Sequence, residues 1–176
     1  MTEAAQQGTI WHRARPGARL LVDGVELRTL APDSAWTAGL TDPNLASTMV
    51  MARFGGVRVL LTGDAEKEIE WRLADAHAVP AVDVLKLGHH GSRTSSTADF
   101  LDQAKPTFAV VSAGLDNLYH HPHPDVLARL EQRNVHVLRT DHGGQIRFLT
   151  DGRHLDLTVY RGFSQLAERP RLASAR

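Results

Sequence analysis

The first third of the chain alternates short apolar bursts with turn residues. TIWHRA (9–14), RLLV (19–22) and VELRTLAP (25–32) each read as a strand. The Asp23-Gly24 pair between the last two predicts a tight hairpin, because Asp-Gly takes the positive φ angles of a two-residue turn at little cost. Residues 32–44 are polar and broken by Pro and Gly, which predicts a loop. LASTMVMARF and VRVLLTG, joined by Gly55-Gly56, predict a second hairpin. After Gly63-Asp64 the spacing turns helical in AEKEIEWRLADAHA, where Ile69, Leu73 and Ala76 share one face and Asp64 is placed to cap the N-terminus. Strands and helices then alternate: AVDVLKL, helix TADFLDQA, FAVVSAG, helix PDVLARLEQRN opened by Pro124, and VHVLRT. Such alternation argues helices layered on a sheet, an α/β arrangement. GQIRFLT and HLDLTVY predict a last hairpin about Asp151-Gly152. The Ala-, Arg- and Ser-rich end is expected to fray, giving one domain over 1–160 and a flexible tail over 161–176.

Composition narrows the function classes. The chain has 176 residues, 20 basic and 20 acidic, so no net field draws it to nucleic acid, although a local basic patch is compatible with the balance. It has no cysteine, which excludes disulfides, thiolate metal sites and cysteine nucleophiles. Any metal must therefore be held by His, Asp or Glu. The first residues lack the basic start and apolar run of a leader, and no window reaches the roughly 20 apolar residues of a membrane span, so a soluble chain is expected.

Of the ten histidines, seven fall between 89 and 142, at predicted strand ends or in the loops after them. Ligands of open α/β sheets bind at such ends. Four stretches stand there. Asp64 in LLTGDAE reads either as a helix cap or as a site carboxylate. LKLGHHGS places His89 and His90 between Gly88 and Gly91, whose missing side chains allow close backbone approach, with Ser92 following. SAGLDNLYHHPHP carries Asn117, Tyr119, His121 and His123 in a proline-stiffened loop, which is either a solvated connector or a substrate wall. RTDHGG ends a strand with Asp141 and His142. Imidazole and carboxylate suit zinc, manganese or iron, and a carboxylate can bridge two ions. Asp64 with His89 or His90 supplies two or three donors, fewer than a dinuclear site needs. No H-x-H-x-D-H occurs; HHPH at 120–123 comes nearest.

LLTGDAEKE, DVLKLGHHGSRTSS, VSAGLDNLYHHPHP and LRTDHGGQIRF, in this order, resemble the C-terminal part of the metallo-β-lactamase-fold domain of ComEC/Rec2 competence proteins. DPNLASTMVMARFGGVRVLLTGD resembles the same family's strand leading into its Gly-Asp turn. The resemblance implies part of a four-layer αββα sandwich, its C-terminal portion only, because the half carrying H-x-H-x-D-H is absent. It implies Asp64 as a metal-bridging carboxylate and catalytic residue, His89 with His90 second as metal ligands, and two divalent ions, zinc or manganese, in the complete fold. Asn44 and Ser47 stand near where other members place a further metal histidine. His121 and His123 match a catalytic role at the phosphate, and Ser92, Asn117, Tyr119 and Asp141 match substrate contacts.

The function this implies is metal-assisted hydrolysis of a phosphodiester in single-stranded DNA. The partners implied are the missing N-terminal half or the membrane-channel part of a ComEC-like parent, which would hold the domain at the bacterial inner membrane on its extracytoplasmic side. Two other readings stand beside it: a non-catalytic remnant or interaction module of the same fold, and a small-molecule hydrolase acting on a lactone or thioester.

Overall fold

The computed structural model describes residues 6–8, 10, 13–37, 42–161, 164–166 and 172–173. Its larger sheet has seven strands in sequence order: β1 Arg19–Val22, β2 Val25–Ala31, β3 Met49–Phe54, β4 Val57–Leu61, β5 Val84–Lys86, β6 Phe108–Val111 and β7 His136–Arg139. β1 to β4 pair antiparallel through the two predicted hairpins, and β4 to β7 pair in parallel. Parallel neighbours need crossovers. Helices α1 Lys67–Asp75, α2 Ala98–Ala104 and α3 Pro124–Glu131 supply them. A second sheet is built on β8 Gln145–Thr150 and β9 His154–Arg161, the predicted hairpin. Within the expected tail, β10 Ser164–Leu166 and β11 Leu172–Ala173 pair with the other edge of β9. The expected strand over 9–14 lies partly outside the described residues, and its described positions carry no strand.

The three helices lie on one face of the seven-stranded sheet. Ile69, Leu73, Phe100, Leu101, Val126 and Leu130 are buried there against Leu30, Met49, Leu60 and Leu85. Each such side chain contributes roughly 1.5–3 kcal/mol by leaving water. Two details of α1 differ from the sequence reading. Its first turn is preceded by Glu66, not Asp64, and no side chain caps it. Ala76 is the exposed residue after its end, and the buried face carries Glu70 and Ala74 with Ile69 and Leu73. Asp64 is left three residues upstream of Lys67, free to face the strand ends.

On the opposite face the β8–β9 hairpin lays Leu155 and Leu157 against Val57, Val84 and Phe108. The turns of two hairpins touch there: Gly56 N–H donates to the Gly152 carbonyl at 2.7 Å, and a Cβ on Gly55 would collide with that carbonyl. The layers are thus helices, large sheet and small sheet, three of the four expected in an αββα sandwich. The small sheet packs over the β4–β7 side. Over β1–β4 the same face presents Leu20, Val22, Val25, Leu27, Val50, Ala52, Phe54 and Leu61, aligned by the strand register. Leu20, Val22 and Leu61 in that face remain 58%, 48% and 47% exposed. No described helix is long and apolar enough to cross a membrane.

Candidate functional site

The C-terminal ends of the parallel strands converge on one edge of the large sheet. Asp64 follows β4, His89 and His90 follow β5, Ser112 follows β6, and Asp141 follows β7. After β5 the backbone forms a single tight turn, Gly88–Gly91, in which His89 and His90 have φ of 44° and 56°. Left-handed backbone in two consecutive residues with side chains costs on the order of 1–3 kcal/mol each. Neighbouring segments hold the turn in place. His89 N–H donates to the Gly63 carbonyl at 3.2 Å, and Ser95 Oγ donates to the Gly88 carbonyl at 2.7 Å. A Cβ on Gly88 would lie 2.6 Å from the Ala65 carbonyl oxygen, and one on Gly91 would lie 2.7 Å from Pro122 Cβ. The two glycines therefore let the Asp64 turn and the 121–123 loop close in on the histidine pair from either side.

The two rings take different partners. His90 Nδ1 lies 2.6 Å from the Ser112 carbonyl, which can only accept, so Nδ1 carries the proton and the Nε2 of the neutral ring is bare. That Nε2 stands 3.5 Å from Asp64 Oδ1. His89 Nδ1 lies 2.9 Å from Glu66 Oε1 and donates to it, which leaves its Nε2 bare as well. The His89 ring meets those of His90 and His121 edge to face, at centroid distances of 6.4 and 5.9 Å. Asn44 reaches the Glu66 carboxylate, with Nδ2 3.4 Å from Oε1, and Ser47 holds the Asp64 backbone, its Oγ accepting the Asp64 N–H at 3.2 Å.

The 112–124 loop brings one further imidazole to this group. The Asn117 amide accepts the His121 N–H at 2.8 Å and donates to the His121 carbonyl at 2.9 Å, so Asn117 braces the loop from within. The His121 ring stacks on Tyr119 at 5.8 Å, and its Nδ1 is buried without a partner among the described residues. Burial, then the neighbouring His89, His90 and His123 rings, push the His121 imidazole below the usual histidine range. Tyr119 is 80% exposed. His123 instead caps α3, its Nδ1 accepting the Asp125 N–H at 3.1 Å. Ser92 is buried, its hydroxyl 3.0 Å from that of Thr94. Arg139 donates from Nε and Nη2 to the two Asp141 carboxylate oxygens at 3.1 and 2.6 Å, and that pairing holds the Asp141 carboxyl below the usual range. Asp64, His89, His90 and His121 thus come together, with Tyr119 at the rim. Asn117, His123 and Ser92 serve the local backbone, and Asp141 is occupied by its arginine.

Four residues of this region were not singled out in the sequence. Glu66 stands two places after Asp64 in the same Gly-Asp-Ala-Glu turn, and that shared turn was the available signal. Lys86 precedes the Gly-His-His-Gly turn and donates from Nζ to the Gly63 carbonyl at 3.1 Å. Glu70, fully buried on α1, accepts the Ser96 and Thr97 N–H groups at 2.7 Å each, and burial pushes its carboxyl up from 4.5. Arg129 of α3 donates to the Ser96 and Ser95 carbonyls at 2.9 and 3.0 Å. Glu70 and Arg129 thereby fix the segment that supports the histidine turn; their helical positions read only as packing.

The donor chemistry here fits a divalent ion in kind. Two donors on one tetrahedral ion, each about 2.1 Å from it, stand roughly 3.4 Å apart. Asp64 Oδ1 and His90 Nε2 match that spacing, and a carbonyl on the far nitrogen of a ligating imidazole is the usual orienting partner. The donor number falls short. Among the described residues no group of three His, Asp or Glu side chains is arranged to hold a metal ion.

Comparison with known proteins gives the family of the chain. The Metallo-beta-lactamase superfamily profile matches residues 37–115. The chain is 35% identical over 157 residues to ComE operon protein 3 of Bacillus subtilis, covering 89% of this chain and 20% of that protein. It is 36% identical over 127 residues to competence protein ComA of Neisseria gonorrhoeae, covering 72% of this chain and 18% of that protein. It is also 36% identical over 124 residues to recombination protein 2 of Haemophilus influenzae, covering 70% and 15%. The chain therefore spans about a fifth or less of the length of these relatives. Among solved structures, the CmlA beta-hydroxylase E377D mutant aligns with a TM-score of 0.47 and 13% identity over 70% of this chain and 31% of that one.

Proposed function

This chain is a metallo-β-lactamase-fold relative of the ComEC/Rec2 competence proteins, and from that premise we propose that it is the C-terminal portion of a metal-dependent phosphodiester hydrolase domain that acts on single-stranded DNA during uptake. The observation that carries the reading is the Asp64–His90 donor pair at 3.5 Å, oriented by Ser112. Asp64 and His90 would hold one side of the ion site, and His89, oriented by Glu66, offers a third imidazole nitrogen beside it. The bound metal, zinc or manganese, supplies a polarised phosphoryl oxygen and an activated water. The remaining donors belong to a further segment of the domain, seated over the apolar face of β1–β4. His121 and Tyr119 form the ring-lined wall along which the strand lies, kept in shape by Asn117. In a ComEC-like parent the domain would sit at the inner membrane on the extracytoplasmic side, beside the channel that takes up the strand.

The test is nuclease activity with Mn²⁺ or Zn²⁺, with and without an added N-terminal half carrying H-x-H-x-D-H. Activity is expected with the half and lost in Asp64→Ala and His90→Ala. Cleavage by the chain that survives both substitutions refutes the assignment. The shortage of donors among the described residues favours a second reading, a non-catalytic interaction module. That reading requires no cleavage in any combination while the two halves still associate.

A further inference from the structure

Lys86 is the last residue of β5. In the strand register it lies in a row with Thr29, Val50, Leu61, Val110 and Leu138. Lys86 is thus the one charged residue in a row that is otherwise apolar but for Thr29, at the strand ends where Asp64 and the histidine turn emerge. Its stem is half-buried in that row. An ammonium has three donors and no acceptor. One donor is spent on the Gly63 carbonyl at 3.1 Å, and Lys86 forms no ion pair among the described residues. The other cation at this rim, Arg139, is engaged by Asp141 through Nε and Nη2.

We propose that Lys86 is an oxyanion-binding residue of the site, its Nζ taking a non-bridging phosphoryl oxygen of the substrate next to Asp64 and His90. The inference rests on the phosphodiester reading above and names the group that would recognise that substrate. Three observations converge on it. The ammonium is accessible at its tip yet set in apolar surroundings, where a charge-assisted bond is stronger than in water. It is tethered to the same Gly63 carbonyl that receives the His89 N–H, so its place relative to both site turns is fixed. Burial pushes the Lys86 ammonium below its usual range, with Asp64 acting the other way, so an incoming anion relieves a desolvated charge. The competing role is a brace: Lys86 would then only pin the Gly63 carbonyl and contact nothing beyond the protein.

The chain is titrated with inorganic phosphate in EDTA, against potassium chloride at matched ionic strength, with backbone amides followed by NMR. Phosphate is expected to move the Gly63, Lys86 and His89 amides. Lys86→Met should weaken the apparent affinity about tenfold, and Lys86→Arg should restore it. Lys86→Gln, which keeps a donor for the Gly63 carbonyl without the charge, replaces the methionine variant should that one fail to fold. Phosphate affinity unchanged in Lys86→Met or Lys86→Gln overturns the proposal in favour of the brace, as do perturbations confined to other amides. A parallel Mn²⁺ titration without EDTA, run with the N-terminal half added so that the donor set is complete, separates the two readings. Absent Mn²⁺ binding with Lys86-dependent phosphate binding removes the hydrolase reading alone. Mn²⁺ binding at Asp64 with Lys86-independent phosphate binding removes this inference alone.

Discussion

His90, and not His89, stands beside Asp64, with Nε2 3.5 Å from Oδ1, while His89 turns to Glu66 at 2.9 Å. Neighbouring residues in one turn have thus been given separate carboxylates. The first prediction follows from that division. Asp64→Asn and His90→Ala should each lower Mn²⁺ or Zn²⁺ affinity by at least about tenfold, and His89→Ala should lower it less. Calorimetric titration of each variant, backed by elemental analysis after dialysis, measures this. Equal losses in His89→Ala and His90→Ala would show that the two rings share one ion.

The turn that carries both rings is held by contact with backbone on either side. A Cβ at Gly88 meets the Ala65 carbonyl oxygen at 2.6 Å and Ser95 Cβ at 3.3 Å, and neither neighbour is a flexible chain end. At Gly91 the added methyl meets Pro122 at 2.7 Å and the backbone is left-handed, with φ +84°. Gly88→Ala and Gly91→Ala should each cost about 2–3 kcal/mol. Gly114→Ala, with nothing within 4 Å of its Cβ, should be nearly neutral. Urea unfolding of the three variants checks the contrast, and a stable Gly88→Ala protein would argue that the turn can relax.

Much of this arrangement was legible in the sequence. Period-two bursts and Gly-punctuated turns located β1 to β4, and alternation with helical spacing located β5 to β7 and the crossovers, because each element buries one face and the burial pattern repeats along the chain. Parallel connections then send the loops after β4, β5, β6 and β7 to one edge, so Asp64, the histidine pair, the 112–124 loop and Asp141 could be grouped before any contact was known. The pairings inside the group were not legible. Two consecutive residues with positive φ rotate their rings by amounts that spacing does not encode, so spacing left both open, and the resemblance put His89 first whereas His90 is the ring beside Asp64. Asn117 was read as a substrate contact and His123 as a catalytic histidine, because polar groups on a stiff loop carry no mark of whether they face solvent or their own backbone. Glu70 was masked for the converse reason, a carboxylate at a core position that only the bonds to Ser96 and Thr97 explain.

Asp141 and Arg139 make a pH-dependent contribution at the neighbouring strand end. The Asp141 carboxyl is held below its ordinary 3.8 by the guanidinium. A depressed carboxylate adds stability above the unfolded value and loses it as the pH falls through the folded value. Asp141→Asn should therefore cost on the order of 1 kcal/mol near neutrality, and the gap should close below about pH 3.8. Thermal melts of both proteins from pH 7 to pH 3 test the sign. A gap that widens on acidification would mean that Asp141 does not carry this pair.

The open face of β1–β4 makes the last prediction. Along β3 and β4 its residues alternate with Met49, Met51 and Leu60, which are buried under the helices, so the strand period has placed apolar side chains on both sides of that part of the sheet. Only the helix side, and the other face over β4–β7, find packing partners. Leu20, Val22 and Leu61 are about half exposed, and β1 has no neighbour on its outer edge among the described residues. Covering the remainder of each such side chain is worth roughly 1 kcal/mol, which a further sheet layer would collect along the whole row. The chain alone should therefore bind an apolar dye and associate as its concentration rises. Val22→Lys with Leu61→Lys should reduce both effects with little change in melting temperature, since neither side chain belongs to a buried cluster. Adding the N-terminal half should suppress dye binding in the parent chain and should associate more weakly with the double variant, because a lysine pair cannot be buried against an apolar layer without a partner. Sedimentation and dye fluorescence read all three states, and dye binding untouched by the two lysines would place the sticky surface elsewhere on the molecule.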